Sequence, residues 1–297
     1  MIRVLEPGLG MATAVAWSPD GTRLAVAGGS GVAVLTTEGR ILWLAREYVF
    51  AFSIAWSPDG RSIADGTPSV RDADSGDLVV RLEKPADGAF FAHDVAWSPD
   101  GRCVAIAGHD TEVRVYDPRT GRQLRAMVGH EGPAWGVSWS PDGQRLASTA
   151  EDLSVRVWNA ASGQQLFASP PHTFPVCRAR WSPDGRSIAA PSENEAIRVW
   201  DASTYEYVTL SNDDASSACS YVCWAPDGRT LASNGPGSLV YLWDVDTSRC
   251  IARLEGHAER VWWVAFSPDG TRLASACQDG TVHIWDTTAL ALHLEGQ

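Results

Sequence analysis

An all-β chain built from seven stacked, repeated sheets is the fold class that the sequence predicts. Three observations predict it. The string Ser-Pro-Asp-Gly, or a near variant, starts at Ser18, Ser57, Ser98, Ser140, Ser182, Ala225 and Ser267, with successive copies 39 to 43 residues apart. Seven such units take up almost all of the 297 residues. Each unit reads as short strands separated by tight turns. A fixed period overrides the length-based expectation of about two domains, because repeated units share one continuous core. No stretch is left for a separate catalytic domain.

The last unit justifies each element in order. Val261-Trp262-Trp263-Val264-Ala265-Phe266 is strand-like, with Trp262, Val264 and Phe266 expected on one face. Ser267-Pro268-Asp269-Gly270 is a turn: proline fits its second position, Asp bonds back to the backbone, and Gly supplies a positive φ. Thr271 to Ala276 is a second strand, Gln278-Asp279-Gly280 a second turn, and Thr281 to Trp285 a third strand. A fourth strand precedes each Gly-His. Such a sheet cannot bury its faces alone, so the units must stack.

The punctuation of these units carries a family resemblance. Gly129-His130 and Gly256-His257 open units; Trp200-Asp201, Trp243-Asp244 and Trp285-Asp286 close them, with Trp158-Asn159 and Tyr116-Asp117 as close variants. The chain resembles the WD-repeat family of β-propellers over nearly its whole length. The resemblance implies a single seven-bladed propeller over residues 1–297, of four-stranded antiparallel blades around a central channel. The units depart from the pattern unevenly. The first has Thr36 where Trp is expected, and the second, Arg61 to Gly76, is shortened and lacks its Trp. The sixth has Ala215 in the His position and Gly237 in the turn-Asp position. Blades 1 and 2 are expected to be the irregular ones.

Composition narrows the function. Hydrophobic residues are 44% and charged residues 20%, a globular balance. The net charge of −12 argues against nucleic acid and anionic membranes, which want clustered Lys and Arg. Lys84 is the only lysine, which reads as the codon usage of a GC-rich, bacterial-like genome. No apolar run reaches the ~20 residues needed to span a bilayer. Met1 to Gly10 lacks the layout of a secretion signal. The cysteines at 103, 177, 219, 223, 250 and 277 form no Cys-x-x-Cys pair and read as small core residues of a reduced, cytoplasmic protein. The chain opens on Met1 and is filled by the repeats, so any effector domain is expected on a separate polypeptide or in a region outside this chain.

Two constellations look catalytic. His130, Ser148 and Asp152 repeat the offsets of His257, Ser275 and Asp279, with Trp158 and Trp285 at equal distance beyond. A triad is needed once, and a nucleophile needs exposure and an oxyanion hole. The family resemblance implies a structural role instead: the His bridges the Asp carboxylate and the Ser hydroxyl, and the hydroxyl accepts from the indole. His93, Asp94, His109 and Asp110 tempt a metal reading, but no His-x-His or tight Cys/His cluster supports one. No cofactor is expected: Gly28-Gly29-Ser30-Gly31 lies between strands and reads as a β-turn rather than a phosphate loop.

The resemblance further implies that partners bind on the face carrying the Gly-His loops, at two positions, five and seven residues before each turn serine. The first position reads Thr13, Phe52, His93, Trp135, Cys177, Ser220 and Trp262. The second reads Met11, Phe50, Phe91, Pro133, Pro175, Ala218 and Arg260. Aromatic residues concentrate on blades 2, 3 and 4, with Trp262 and Arg260 on blade 7. Glu151, Glu193 and Gln278 sit just before the turn Asp or its equivalent, which makes a basic peptide the fitting partner. The expected function is a non-enzymatic scaffold or sensor module, a monomeric propeller that binds another protein or peptide. The alternatives are an enzyme at the channel mouth, with His93, Asp94, Arg178 and Tyr221 as its non-repeating polar residues, or a small-molecule sensor at the aromatic rim. Arg178 and Tyr221 lie one step off the expected channel-facing register.

The termini compete to close the ring. Leu5-Glu6-Pro7-Gly8 and Leu294-Glu295-Gly296-Gln297 both align with Leu254-Glu255-Gly256-His257 at the end of an outer strand. Ile2–Leu5 is expected to complete blade 7, with Leu290–Gln297 displaced.

Overall fold

The computed structural model describes residues 1–47, 50–84, 91–192, 196–211 and 219–288. They form seven antiparallel sheets of four strands each. The first blade runs outward through Ala12–Trp17, Arg23–Gly28, Gly31–Thr36 and Ile41–Arg46. The later inner strands are Ile54–Trp56, Ala92–Trp97, Ala134–Trp139, Arg180–Trp181, Val222–Trp224 and Val261–Phe266. Consecutive inner strands neighbour one another, and the last packs against the first, so the ring is closed. Among the described residues no helix is long and apolar enough to cross a membrane. None of the six cysteines is held in a disulfide.

Each Ser-Pro-Asp-Gly turn is a small hydrogen-bonded unit. In the first, the Ser18 hydroxyl donates to Asp20 at 2.6 Å and accepts from the Arg23 amide at 2.9 Å, while the Thr22 amide donates to Asp20 at 3.0 Å. Gly21 sits at φ +70°, a conformation an L side chain rarely adopts. The Ser18 hydroxyl, with the Thr22 amide, holds the Asp20 carboxyl below its ordinary range. The Asp of each Trp-Asp pair caps the following turn: Asp201 accepts from the Ser203 and Thr204 amides at 2.8 and 2.9 Å.

The N-terminal strand Arg3–Leu5 completes blade 7, pairing antiparallel with Val282, His283 and Ile284, and the Ile2 amide adds a bond to the Ile284 carbonyl at 2.7 Å. The competing segment Leu290–Gln297 lies outside the described residues, as do Ala215 and Ala218.

Two expectations about regularity need correction. In blade 4 the Trp158 position is set by its pairing with Leu146; in blade 1 the partner of Leu24 is Leu35, so Leu35, not Thr36, fills the Trp slot. Leu35 is fully buried there, and blade 1 is regular, with four strands of six residues. Blade 2 is indeed short-stranded, and Arg71 fills its Trp slot opposite Ile63, paired with buried Asp65 at 3.0 Å. The other disturbed blade is the fifth, whose inner strand is two residues long with a lone bridge from Val176 to Ser192. Pro175 and Pro191 flank that bridge and have no N–H to continue a ladder.

Candidate interaction face and channel

The inner strands are not simple alternating strands. Their pairing slips by one residue between Ala12 and Ala14, Ala92 and Asp94, Ala134 and Gly136, and Val261 and Trp263. Thr13, His93, Trp135 and Trp262 are the extra residues of these β-bulges. A bulge leaves one residue unpaired and re-aims its side chain. Trp262 therefore does not share a face with Val264 and Phe266 as strict alternation predicts. The bulge also shifts the phase of the residues after it. The fourth and second residues before each turn reach into the channel, which brings in Arg178 and Tyr221. Arg178 lies over the Trp263 ring and Tyr221 stacks on it, which corrects their expected displacement from the channel.

These channel positions are small in three blades of one ring, Ala14, Ser53 and Gly136, and in most blades of the other, at Ala16, Ala55, Ala96, Ser138 and Ala265. The space is filled by a few large side chains. Arg180 of blade 5 reaches Asp94 of blade 3, with nitrogens 2.7 and 3.1 Å from the two carboxylate oxygens. Asp94 also accepts from the Ser53 hydroxyl at 2.9 Å and the Val137 amide at 3.0 Å, so blades 2, 3, 4 and 5 meet at one carboxylate. Arg180 Nε donates to the Tyr221 hydroxyl at 3.2 Å, and Tyr221 stacks on Trp263 at 3.8 Å. Burial works against the Arg180 charge, but Asp94 outweighs it and holds the guanidinium above its ordinary range. Burial pushes the Tyr221 hydroxyl up. Arg178 donates to the His93 carbonyl at 2.9 Å and lies over the Trp263 ring at 5.0 Å. Its Nε has no hydrogen-bond partner, and burial pulls the guanidinium down.

Above this network lies an aromatic cluster. Phe50 and Phe52 have ring centroids 5.3 Å apart, and Phe52 meets His93 edge-on at 6.1 Å. His93 stacks on Trp135 at 4.1 Å and meets His109 at 5.9 Å. The His109 amide bonds the Phe91 carbonyl at 3.2 Å, which ties Phe91 to the same group. Phe50, Phe52 and Phe91 are 40%, 37% and 49% exposed. His93 is buried; its Nδ1 donates to the Ala134 carbonyl at 3.0 Å, yet burial keeps its pKa below the ordinary 6.5. Glu151 is exposed and electrostatically coupled to His93. On blade 7, exposed Arg260 covers the Trp262 ring at 4.4 Å, and the amide of exposed Gln278 bonds the Arg260 carbonyl at 2.9 Å. Glu193 lies outside the described residues.

The two repeated triads differ from each other. In blade 4, the Trp158 indole donates to Ser148 Oγ at 2.7 Å, Ser148 meets His130 Nε2 at 2.7 Å, and His130 Nδ1 meets Asp152 at 2.8 Å. Burial would raise Asp152, but the bond and charge from His130 hold it well below the carboxylate range. In blade 7, Trp285 donates to Ser275 at 2.8 Å and Ser275 meets His257 Nε2 at 2.5 Å. There the chain stops: His257 Nδ1 has no hydrogen-bond partner, and Asp279 bonds Thr281 instead. The expected His257–Asp279 bridge is therefore absent. Ser148 and Ser275 are both fully buried, out of reach of any substrate.

The family model for the WD domain, G-beta repeat, matches residues 87–117, 121–159, 163–201 and 248–286. The last three matches each begin at the outer strand of one sheet and end on the Trp-Asp or Trp-Asn pair of the next. The chain belongs to the WD-repeat family. A search of curated proteins returned no match.

The residue before each turn serine of this WD-repeat propeller is Trp17, Trp56, Trp97, Trp139, Trp181, Trp224 or Phe266, a recurrence visible in the sequence but outside the expected binding positions. Five of these indoles donate across to the neighbouring inner strand: Trp17 to the Ala265 carbonyl at 3.0 Å, Trp56 to Ala16 at 3.1 Å, Trp97 to Ala55 at 3.1 Å, Trp139 to Ala96 at 3.1 Å and Trp224 to Arg180 at 3.0 Å. Arginines two residues after the turn glycine add inter-blade stacking: Arg23 lies 4.9 Å over Trp56, Arg145 4.5 Å over Trp181, and Arg272 4.6 Å over Trp17. Trp17, Trp56, Trp97, Trp224 and Phe266 of this ring, with five of the turn prolines, wall a cavity of about 530 Å³ on the channel side opposite the Gly-His loops, roofed by Arg180, Tyr221 and Trp263.

Proposed function

We propose that the chain is a non-enzymatic interaction module that binds a segment of another protein across the channel mouth of blades 2 to 4. WD-repeat propellers commonly serve as protein-interaction scaffolds, and the match to that family supports this class. The observation that carries the reading further is the grouping of Phe50, Phe52 and Phe91, each more than a third exposed, around the stacked His93–Trp135 pair. Exposed aromatics beside a packed ring pair offer large, rigid contact area at low entropic cost.

The net charge of −12 and exposed Glu151 support a cationic segment running over blades 2 to 4. Arg178 and Arg260 mark the blade 5 and blade 7 sides of the mouth, where such a segment would be repelled. Against the enzymatic alternative, Asp94 already accepts five hydrogen bonds and the Tyr221 hydroxyl is held by Arg180. Six cysteines outside any disulfide fit a reducing compartment such as the cytoplasm.

The test is affinity capture from the native cell with wild type and a Phe52→Ala/Trp135→Ala/Trp262→Ala variant, both shown to be folded by circular dichroism. Partners retained by wild type and lost by the variant support the reading. Identical capture overturns it. Turnover of a small molecule that disappears in His93→Ala would favour the enzyme instead.

A further inference from the structure

We propose that the top of blade 7 is a zinc-class metal site formed by His257 Nδ1, Cys277 Sγ and the Asp279 carboxylate. The three ligand atoms all lie within 4.8 Å of one another. His257 is only 6% exposed, and its Nδ1 is shielded from solvent with no hydrogen-bond partner. Cys277 is fully buried beside it. An orphaned imidazole nitrogen, a thiol and a carboxylate are the mixed N, S and O donors that a borderline-soft divalent ion takes.

Blade 4 is the internal control. Strand register equates Cys277 with Ala150 and His283 with Arg156. In blade 4 the Asp152 carboxylate is filled by His130 at 2.8 Å, the Glu131 amide at 3.1 Å and Arg156 at 3.3 Å, which leaves no donor wanting. In blade 7 both differences are toward metal ligands: alanine becomes cysteine, and arginine becomes histidine. Asp279 accepts from Thr281 on one oxygen, at 2.7 and 2.9 Å, and its carboxylate neighbours the Cys277 thiol. His283 is buried, stacked on His257 at 3.7 Å, and its Nδ1 too lacks a partner. A water supplies the fourth corner.

A tetrahedral zinc with bonds of about 2.0–2.3 Å holds its ligands about 3.3–3.8 Å apart, so side-chain rotation of about 1 Å closes the site. Binding replaces the Cys277 S–H by a sulfur–metal bond and releases that proton to water; nothing is oxidised or reduced. The thiol gives up its present contact with the Glu259 carbonyl at 3.3 Å. His283, stacked on His257, pairs with Val4 of the closing strand, so the site adjoins the seam of the ring.

The full chain, stripped by a chelator, is titrated with Co²⁺ and with Zn²⁺. One equivalent of Co²⁺ is expected to give tetrahedral d–d bands and a thiolate-to-cobalt charge-transfer band, and Zn²⁺ to displace it and raise the melting temperature. Cys277→Ala, which copies blade 4, should fold, lose the charge-transfer band and lose the Zn²⁺-dependent melting shift. Asp279→Asn should weaken Co²⁺ binding at least about tenfold. Cys103→Ala should change neither. No band, or a band that survives Cys277→Ala, overturns the proposal.

Discussion

Asp94 of blade 3 and Arg180 of blade 5 meet across the central channel, with both carboxylate oxygens bonded to guanidinium nitrogens at 2.7 and 3.1 Å. Asp94 is fully buried, and a second guanidinium, Arg178, lies on the same side of the channel. The pair therefore holds one negative charge against two positive ones in a space lined by alanine, serine and aromatic rings.

Removing the carboxylate should be costly. Asp94→Ala leaves Arg180 buried without a counter-ion, and breaking one side of a buried pair costs about 3–5 kcal/mol. Ser53 and the Val137 amide lose their acceptor as well. Replacing both partners, Asp94→Ala with Arg180→Met, should be milder, because no orphan charge remains. Urea unfolding of the two variants checks this; equal destabilisation would show that the channel charge is exposed to water.

The indole ring predicts a graded effect. Trp97→Phe keeps the aromatic volume and removes one bond to the Ala55 carbonyl, which contributes about 1 kcal/mol. Blade 7 already carries this residue naturally as Phe266. Trp97→Ala should cost about 3–5 kcal/mol, since a cavity opens between blades. Thermal unfolding of both variants separates bond from volume.

The strand–turn repeat and the seven blades are legible in the sequence because they are periodic, and period survives the loss of single elements such as the Trp of blade 2. The channel is not legible. A β-bulge inserts one residue without a sequence signature, and with a side-chain period of two a slip of one exchanges the faces. Trp262 and Trp263 are adjacent tryptophans, and nothing in their identity says that the first is the bulge and the second the channel wall. Arg178 and Tyr221 are misplaced in the sequence for a related reason: their channel-facing register is counted along a strand whose alternation the ring as a whole does not keep. The aromatic positions at Phe50, Phe52 and His93 are readable because the family pattern counts from the turn serine and so carries the bulge implicitly. The missing His257–Asp279 bond is hidden because equal spacing in blades 4 and 7 conceals Cys277 and His283 beside it.

Acid should loosen the mouth through His93. Burial lowers its folded-state pKa below the unfolded 6.5. The unfolded chain then binds more protons at pH values between the two, so stability is full above about 6.5 and is lost as pH falls toward the folded pKa. The slope is at most about 1.4 kcal/mol per pH unit for this one group. Comparing unfolding free energies at pH 7 and pH 5 for wild type and His93→Gln isolates it. The variant should show the smaller drop; identical drops would place His93 in contact with solvent.

The seam between the two ends of the chain gives the last prediction. Arg3–Leu5 covers the outer edge of Val282–Asp286, and without it that strand would present unpaired N–H and C=O groups. Deleting residues 1–5 should therefore lower the melting temperature and produce concentration-dependent self-association, seen by analytical ultracentrifugation. Val4→Gly is the gentler version, since it weakens the strand opposite His283 through backbone entropy and leaves the rest of the strand in place. It should lower stability without dimerisation. A deletion variant that stays monomeric and equally stable would mean that another segment can occupy the same edge, and Leu290–Gln297, which carries the same Leu-Glu signature at Leu294-Glu295, is the segment to delete next.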